Sequence, residues 1–171
     1  MKLCVVSDIH GSQTAAEKAV KMFENEKCDY MLLLGDVLYH GPRNPLPEGH
    51  NPQGAAKALN TIKDKIIAVR GNCDADIDQM LLEFPCMAEY VIIVDGPRKI
   101  FATHGHIYSP DNLPKLHGIS YFFSGHTHVS YVEKRGELTL CNPGSCALPK
   151  DGKGPSLAIY EDGNIAIVPL A

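Results

Sequence analysis

Residues 2–11 read KLCVVSDIHG: an apolar run from Lys2 to Val6 that stops at Ser7-Asp8 and turns through Ile9-His10-Gly11. A short apolar run closed by polar and glycine residues reads as a strand buried on both faces. The pattern returns at Tyr30–Leu34, stopped by Gly35-Asp36, and at Ile66–Val69, stopped by Gly71-Asn72. Helical patterns separate the three runs. Thr14 and Glu17 fit a capping box ahead of Ala16, Ala19, Val20 and Phe23, which share one face. Asn51-Pro52 reads as a cap with proline at the first helical position, followed by Ala55, Ala58, Leu59 and Ile62. Strand, helix, strand, helix, strand predicts parallel pairing through helical crossovers.

The second half changes character. Glu89–Val94 and Lys99–Thr103 flank Asp95-Gly96-Pro97, Val129–Lys134 and Glu137–Cys141 flank Arg135-Gly136, and Ser156–Glu161 and Asn164–Pro169 flank Asp162-Gly163. These are hairpin signals, with Ser120–Ser124 as a further short run. One sheet does not easily hold so many strands with both kinds of connection. The expectation is an α/β (α+β) protein of two facing mixed β-sheets with helices outside, a four-layer αββα sandwich in a single domain over residues 1–171. Tyr39 to Gln53, rich in proline and glycine, is too long for an ordinary connection and reads either as a cover over a site or as a plain excursion.

Composition sets the outer limits. At about 100–200 residues per domain, 171 residues make one domain. Hydrophobic residues at 44% and charged residues at 21% exclude disorder, collagen and coiled coil for the whole chain. A net charge of −4 gives no global basic field for nucleic acid. Nothing approaches the roughly 18 consecutive apolar residues of a membrane span, and Asp8 comes too early for a signal peptide. Cys4, Cys28, Cys73, Cys86, Cys141 and Cys146 form no CxxC pair, as expected of free thiols in a reducing cytosol. The chain is therefore expected to be cytoplasmic, with no membrane partner. The sequence leaves room for a homo-oligomer.

The polar residues that interrupt the pattern stand at strand ends: Asp8 and His10, Asp36, Asn72-Cys73-Asp74, His104 and His106, and His126 and His128. Ligands in open α/β sheets bind outside the carboxyl ends of strands, so five such ends point to one convergent site. Mixed oxygen and nitrogen donors without a thiolate pair suit Mn²⁺, Fe, Zn²⁺ or Ni²⁺ and not a structural zinc cage.

Asp8-Ile9-His10-Gly11, Gly35-Asp36, Gly71-Asn72-Cys73-Asp74, His104 and Gly125-His126-Thr127-His128 resemble, in order and spacing, the five-block signature of the calcineurin-like metallophosphoesterases. Asn142-Pro143-Gly144-Ser145 resembles a further block of the small bacterial and archaeal phosphodiesterases, the YfcE-like group. The resemblance implies the metallophosphoesterase fold and two divalent metal ions, with Mn²⁺ first and Ni²⁺, Fe²⁺ or Zn²⁺ as alternatives. By it, Asp8, His10, Asp36 and His128 hold one ion. Asp36, Asn72, His104 and His126 hold the other, with Asp36 bridging. The implied substrate is a small phosphodiester, attacked by a metal-bridging hydroxide. Two divalent ions less two carboxylates and a hydroxide leave one positive charge for a diester monoanion, which an aspartate at position 72 would cancel. A phosphomonoesterase and a non-catalytic scaffold on the same fold are the alternatives.

One position departs from the resembled pattern. Cys73 stands where most members carry a histidine thought to stabilise the transition state or protonate the leaving oxygen, so Asp74 loses its expected partner. Cys73 is either active or a small residue tolerated in a crowded turn. His106 is a phosphate contact or an ordinary surface residue, and Arg70 a phosphate contact or one half of an ion pair. His40, His50 and His117 read as solvated loop residues, and Asn142 as a turn residue and only secondarily as a neighbour of the site.

Overall fold

The computed structural model describes residues 1–170. Ten strands form two five-stranded mixed sheets, as expected. In chain order the elements are β1 (Lys2–Val6), α1 (Gln13–Asn25), β2 (Tyr30–Leu33), α2 (Pro52–Asn60), β3 (Ile66–Ala68), β4 (Tyr90–Asp95), β5 (Arg98–Thr103), β6 (Tyr121–Phe123), β7 (Tyr131–Arg135), β8 (Leu138–Asn142), β9 (Ser156–Glu161) and β10 (Asn164–Pro169). The first sheet runs β10-β9-β1-β2-β3, the second β4-β5-β6-β8-β7. β1, β2 and β3 pair in parallel, and the three expected hairpins are antiparallel.

The apolar runs are continuous because both faces of the central strands are buried. Leu3 and Val5 of β1, with Leu32, Ala158 and Tyr160, meet Ile100, Ala102, Phe123 and Cys141 of the second sheet between the layers. Cys4, Val6, Met31 and Leu33 point the other way, onto Ala16, Ala19, Val20 and Phe23 of α1 and Ala55 and Leu59 of α2.

The outer layers are unequal. Both α-helices cover the first sheet. Outside the second, where a helix was expected, the irregular segment 104–120 lays Tyr108 and Ile119 over Phe101, Phe122 and Leu140. Gly105, Pro110, Pro114 and Gly118 break any helical run there.

The cap of α1 also differs from expectation. Ser12, not Thr14, accepts from the Ala15 amide at 3.1 Å, and its hydroxyl donates to the Glu48 carbonyl at 2.6 Å. Ser12 is therefore fixed from both sides, whereas Glu17 bonds Gln13 instead of returning to a cap. Asn51 does cap α2, accepting from the Gly54 amide at 3.2 Å. Among the described residues no helix is long and apolar enough to cross a membrane.

Candidate metal centre

The parallel ladder does not stop with the strands. The Asp8, His10 and Gly11 amides donate to the Gly35, Asp36 and Val37 carbonyls at 3.1, 2.9 and 2.8 Å, zipping the turn after β1 to the turn after β2. Asp8, His10, Asp36, His126 and His128 all have positive φ, between 51° and 67°. Non-glycine residues rarely adopt that conformation, and it gathers at functional sites where the surroundings enforce it. Here it swings five polar side chains away from their strands and inward. Gly71 must be glycine because a Cβ there would lie 2.1 Å from Asp36 Oδ1.

Three of the rings are locked by backbone carbonyls. Nδ1 of His10, His104 and His128 donates to the carbonyls of Tyr39, Leu34 and Leu148 at 2.9, 2.7 and 2.6 Å. That fixes the tautomer and leaves each Nε2 facing the centre. His128 Nε2 lies 3.2 Å and His10 Nε2 3.5 Å from Asp8 Oδ1. Asp36 Oδ2 stands between two groups, 3.8 Å from His10 Nε2 and 3.4 Å from His104 Nε2. Asn72 Oδ1 is 3.0 Å from His104 Nε2, and the His126 ring centroid is 5.1 Å from that of His104. The structure thus brings together all seven residues proposed from the sequence as metal ligands.

This donor set fits a cation. His10 Nε2 and His128 Nε2 are only 3.2 Å apart, and in neutral rings held through Nδ1 both present lone pairs. Asp8 Oδ1 beside them is buried without a hydrogen-bond partner. Such a cluster needs positive charge at its centre. Without ions, protons supply it. Burial opposes charge on His104, but the Asp36 and Asp8 carboxylates outweigh it and raise the ring to about 9. His10 is raised for the same reasons. Burial pushes Asp8 and Asp36 up, yet the neighbouring imidazoles hold both below the usual carboxylate range.

The remaining candidates lie around this cluster in different ways. Asp74 has not lost its partner. It is buried and accepts from the Asp36 and Gly71 amides through Oδ2 and from the Val37 amide through Oδ1, at 2.7–2.8 Å. With both oxygens committed to the backbone, it cannot also orient a side chain at position 73. The Cys73 amide donates to Asp36 Oδ1 at 2.8 Å, and its sulfur groups with His10 and Asp36 donors. Burial and the Asp36 carboxylate push that thiol up to about 12. Arg70 forms no ion pair among the described residues; its Nε donates to the Asp74 carbonyl at 3.2 Å. His106 is exposed at the rim, 5.4 Å from His104 between ring centroids. His50 is not a solvated residue, since its Nε2 is buried without a partner; His117 is exposed as expected.

Two positioning residues, Ser7 and Ser145, escaped the sequence reading, and a third, Asn142, reads there only secondarily as a neighbour of the site. Ser7 Oγ donates to Asp8 Oδ2 at 2.7 Å, and Ser145 Oγ donates to the Asp8 carbonyl at 2.7 Å. Asn142, read as a turn residue, donates to the Gly125 carbonyl and to Thr127 Oγ1, clamping the turn that carries His126 and His128. Only the Asn142-Pro143-Gly144-Ser145 block hinted at two of them.

A family model for the calcineurin-like phosphoesterase superfamily domain matches residues 1–163. This chain belongs to the calcineurin-like phosphoesterases. Among its relatives, phosphodiesterase YfcE of Escherichia coli is 44% identical over 170 residues, covering 99% of this chain and 92% of that one. The solved structure of E. coli YfcE superposes with a TM-score of 0.96 at 43% identity, over 99% of this chain and 93% of that one. A structure of Vps29 from Chaetomium thermophilum shares the fold at a TM-score of 0.69 and 16% identity, covering 98% and 96% of the two chains. For this calcineurin-like phosphoesterase, the family implies divalent metal ions, and the clustered carboxylates and imidazoles are where they would sit.

Proposed function

We propose that this chain is a cytoplasmic phosphodiesterase that works on small diesters with two divalent ions, manganese foremost and nickel, iron or zinc as alternatives. Asp8, His10, Asp36 and His128 hold one ion; Asp36, Asn72, His104 and His126 hold the other. The observation that carries the reading is the opposed pair of Nε2 atoms, 3.2 Å apart, beside the unpartnered Asp8 Oδ1. Likeness to E. coli phosphodiesterase YfcE supports diesters as the substrate class, and six free thiols suit a reducing compartment.

Divalent ions held by these residues would supply Lewis-acid stabilisation of charge on the phosphoryl oxygens and would lower the pKa of a bound water, the electrophile being the phosphorus of the diester. The chain's residues set the terms. The carbonyl bonds to Nδ1 keep three rings aimed at the centre through turnover. Asn72 is a neutral amide at the rim, so the site keeps the surplus positive charge that a diester monoanion needs. The Cys73 thiol, pushed up to about 12, stays protonated at neutral pH and is a weak donor to the leaving oxygen.

The test is chelator-stripped protein reloaded with Mn²⁺, Ni²⁺, Zn²⁺ or Mg²⁺ and assayed on bis(4-nitrophenyl) phosphate, with elemental analysis of bound metal. Two ions per chain are expected, about 3.5–4 Å apart. Asp36→Asn is expected to lose both stoichiometry and turnover, and His106→Ala to lose no more than about 10–100-fold in rate. A single ion per chain, or no diester hydrolysis with any metal, overturns the reading.

A further inference from the structure

The metal centre opens into a cavity of about 800 Å³, floored by Asn72, His126 and His128 and walled by the loop after β2 and by Lys150. Three features of that wall go unused by the chemistry above. Tyr39 is 46% exposed, yet its carbonyl is held by His10 and its ring packs edge-on against His40, with centroids 4.9 Å apart. Arg43 sits in a turn closed by Asn44, whose side chain donates to the His40 carbonyl at 2.9 Å. Lys150 also lines the cavity, its amide bonded to the His128 carbonyl at 3.0 Å. Tyr39 and Lys150 are thus tied through the backbone to metal-ligand residues, and Arg43 is carried on the same loop as Tyr39.

The charge balance of the cavity is one-sided. Its only carboxylates among the described residues are Asp36 and Asp74. Asp36 faces the imidazoles, and Asp74 is committed to three amides. Neither Arg43 nor Lys150 makes an ion pair or side-chain hydrogen bond among the described residues. In a chain of net charge −4, two unpaired cations lining one cavity beside the candidate metal centre are a local exception. An exposed, held aromatic ring beside them offers a stacking face.

We propose that Arg43, Lys150 and Tyr39 form a specificity subsite for diesters in which one ester arm is a nucleoside carrying a second phosphate. This rests on the phosphodiesterase reading and names the substrate class for the same site. The cations take the second phosphate by charge-assisted hydrogen bonds, and Tyr39 takes the base. In the reaction a water oxygen bonds to phosphorus, the bond to the other arm breaks, and that arm leaves with its oxygen; the second phosphate is untouched.

The test compares thymidine 5′-(4-nitrophenyl phosphate) with and without a 3′-phosphate, on metal-loaded enzyme at low and moderate salt. The expected result is a preference of about tenfold or more in kcat/KM for the 3′-phosphorylated substrate, shrinking as salt screens the cations. In Arg43→Ala/Lys150→Ala the ratio should fall to near one, and Arg43→Lys should keep most of it. Bis(4-nitrophenyl) phosphate serves as reference. If the metal-loaded wild type hydrolyses it but shows no preference between the thymidine esters, or keeps its preference in the double variant, the subsite is wrong and the phosphodiesterase reading stands. If the wild type does not hydrolyse the reference diester, both fall together.

Discussion

At the scale of single residues, the site is a contest between protons and cations for the same atoms. The folded, metal-free protein raises His10 and His104, the latter to about 9, and lowers Asp8 and Asp36. Both raised histidines stabilise the stripped protein fully below the unfolded pKa near 6.5 and lose that contribution as pH rises through their folded values, which for His104 is about 9. The lowered aspartates stabilise it above about 3.9 and fade in stronger acid. Metal binding has the opposite dependence, since an ion must displace those ring protons. Loading at pH 7.5 is therefore expected to release protons, and metal affinity to fall as pH drops; calorimetry in buffers of different ionisation enthalpy measures both, and a buffer-independent heat would refute it. Asp74 makes a separate case. Asparagine offers one acceptor oxygen where three amides now bond two. Asp74→Asn is expected to cost about 1–3 kcal/mol in urea unfolding while two ions remain bound. Loss of metal with unchanged stability would make Asp74 part of the reacting machinery after all.

Among the elements, the first turn of α1 shows how far local pattern reaches. Thr14-Ala15-Ala16-Glu17 satisfies the capping-box template, yet Ser12 holds the cap because the loop carbonyl of Glu48, 36 residues away, fixes its hydroxyl. Ser12→Ala is expected to destabilise by about 1–2 kcal/mol, roughly 3–6 °C in melting temperature, and Thr14→Ala clearly less. Equal effects would restore Thr14 as the cap. Strands and hairpins were legible because burial on both faces and turn residues write themselves into short stretches of sequence. The convergence of the seven residues proposed as metal ligands was legible because each block is local and the blocks keep their order. What stayed hidden was set mostly by distant partners: Ser145 bracing Asp8, Asn142 reaching the Gly125 carbonyl, and the Asp36 and Val37 amides that claim Asp74. The missing helix outside the second sheet was written in Pro110, Pro114 and Gly118, which an architecture argued from strand count alone passes over.

For the molecule as a whole, the loops from both sheets meet at the candidate metal centre, so ions bound there would tie the two layers together. Ligands at about a hundred times their dissociation constant add roughly 2.7 kcal/mol, or about 5–10 °C for a chain of this size. Chelator-stripped protein is expected to melt lower by that amount, and equal melting curves with and without metal would place the ions outside the folded core. The brace from Ser145 to Asp8 also sets a timetable. The two residues lie 137 positions apart, and β1 is completed on one side only when β9 arrives. In a growing chain Asp8, His10 and Asp36 emerge long before His126, His128 and Ser145 are made, so the set of side chains is incomplete until late in synthesis. Selection among ions therefore waits for the finished fold, where intrinsic affinity favours the later transition metals and supply decides between them. The metal carried by the purified protein is then expected to follow the ions supplied during growth, which elemental analysis of protein from cultures with different added metals would read out.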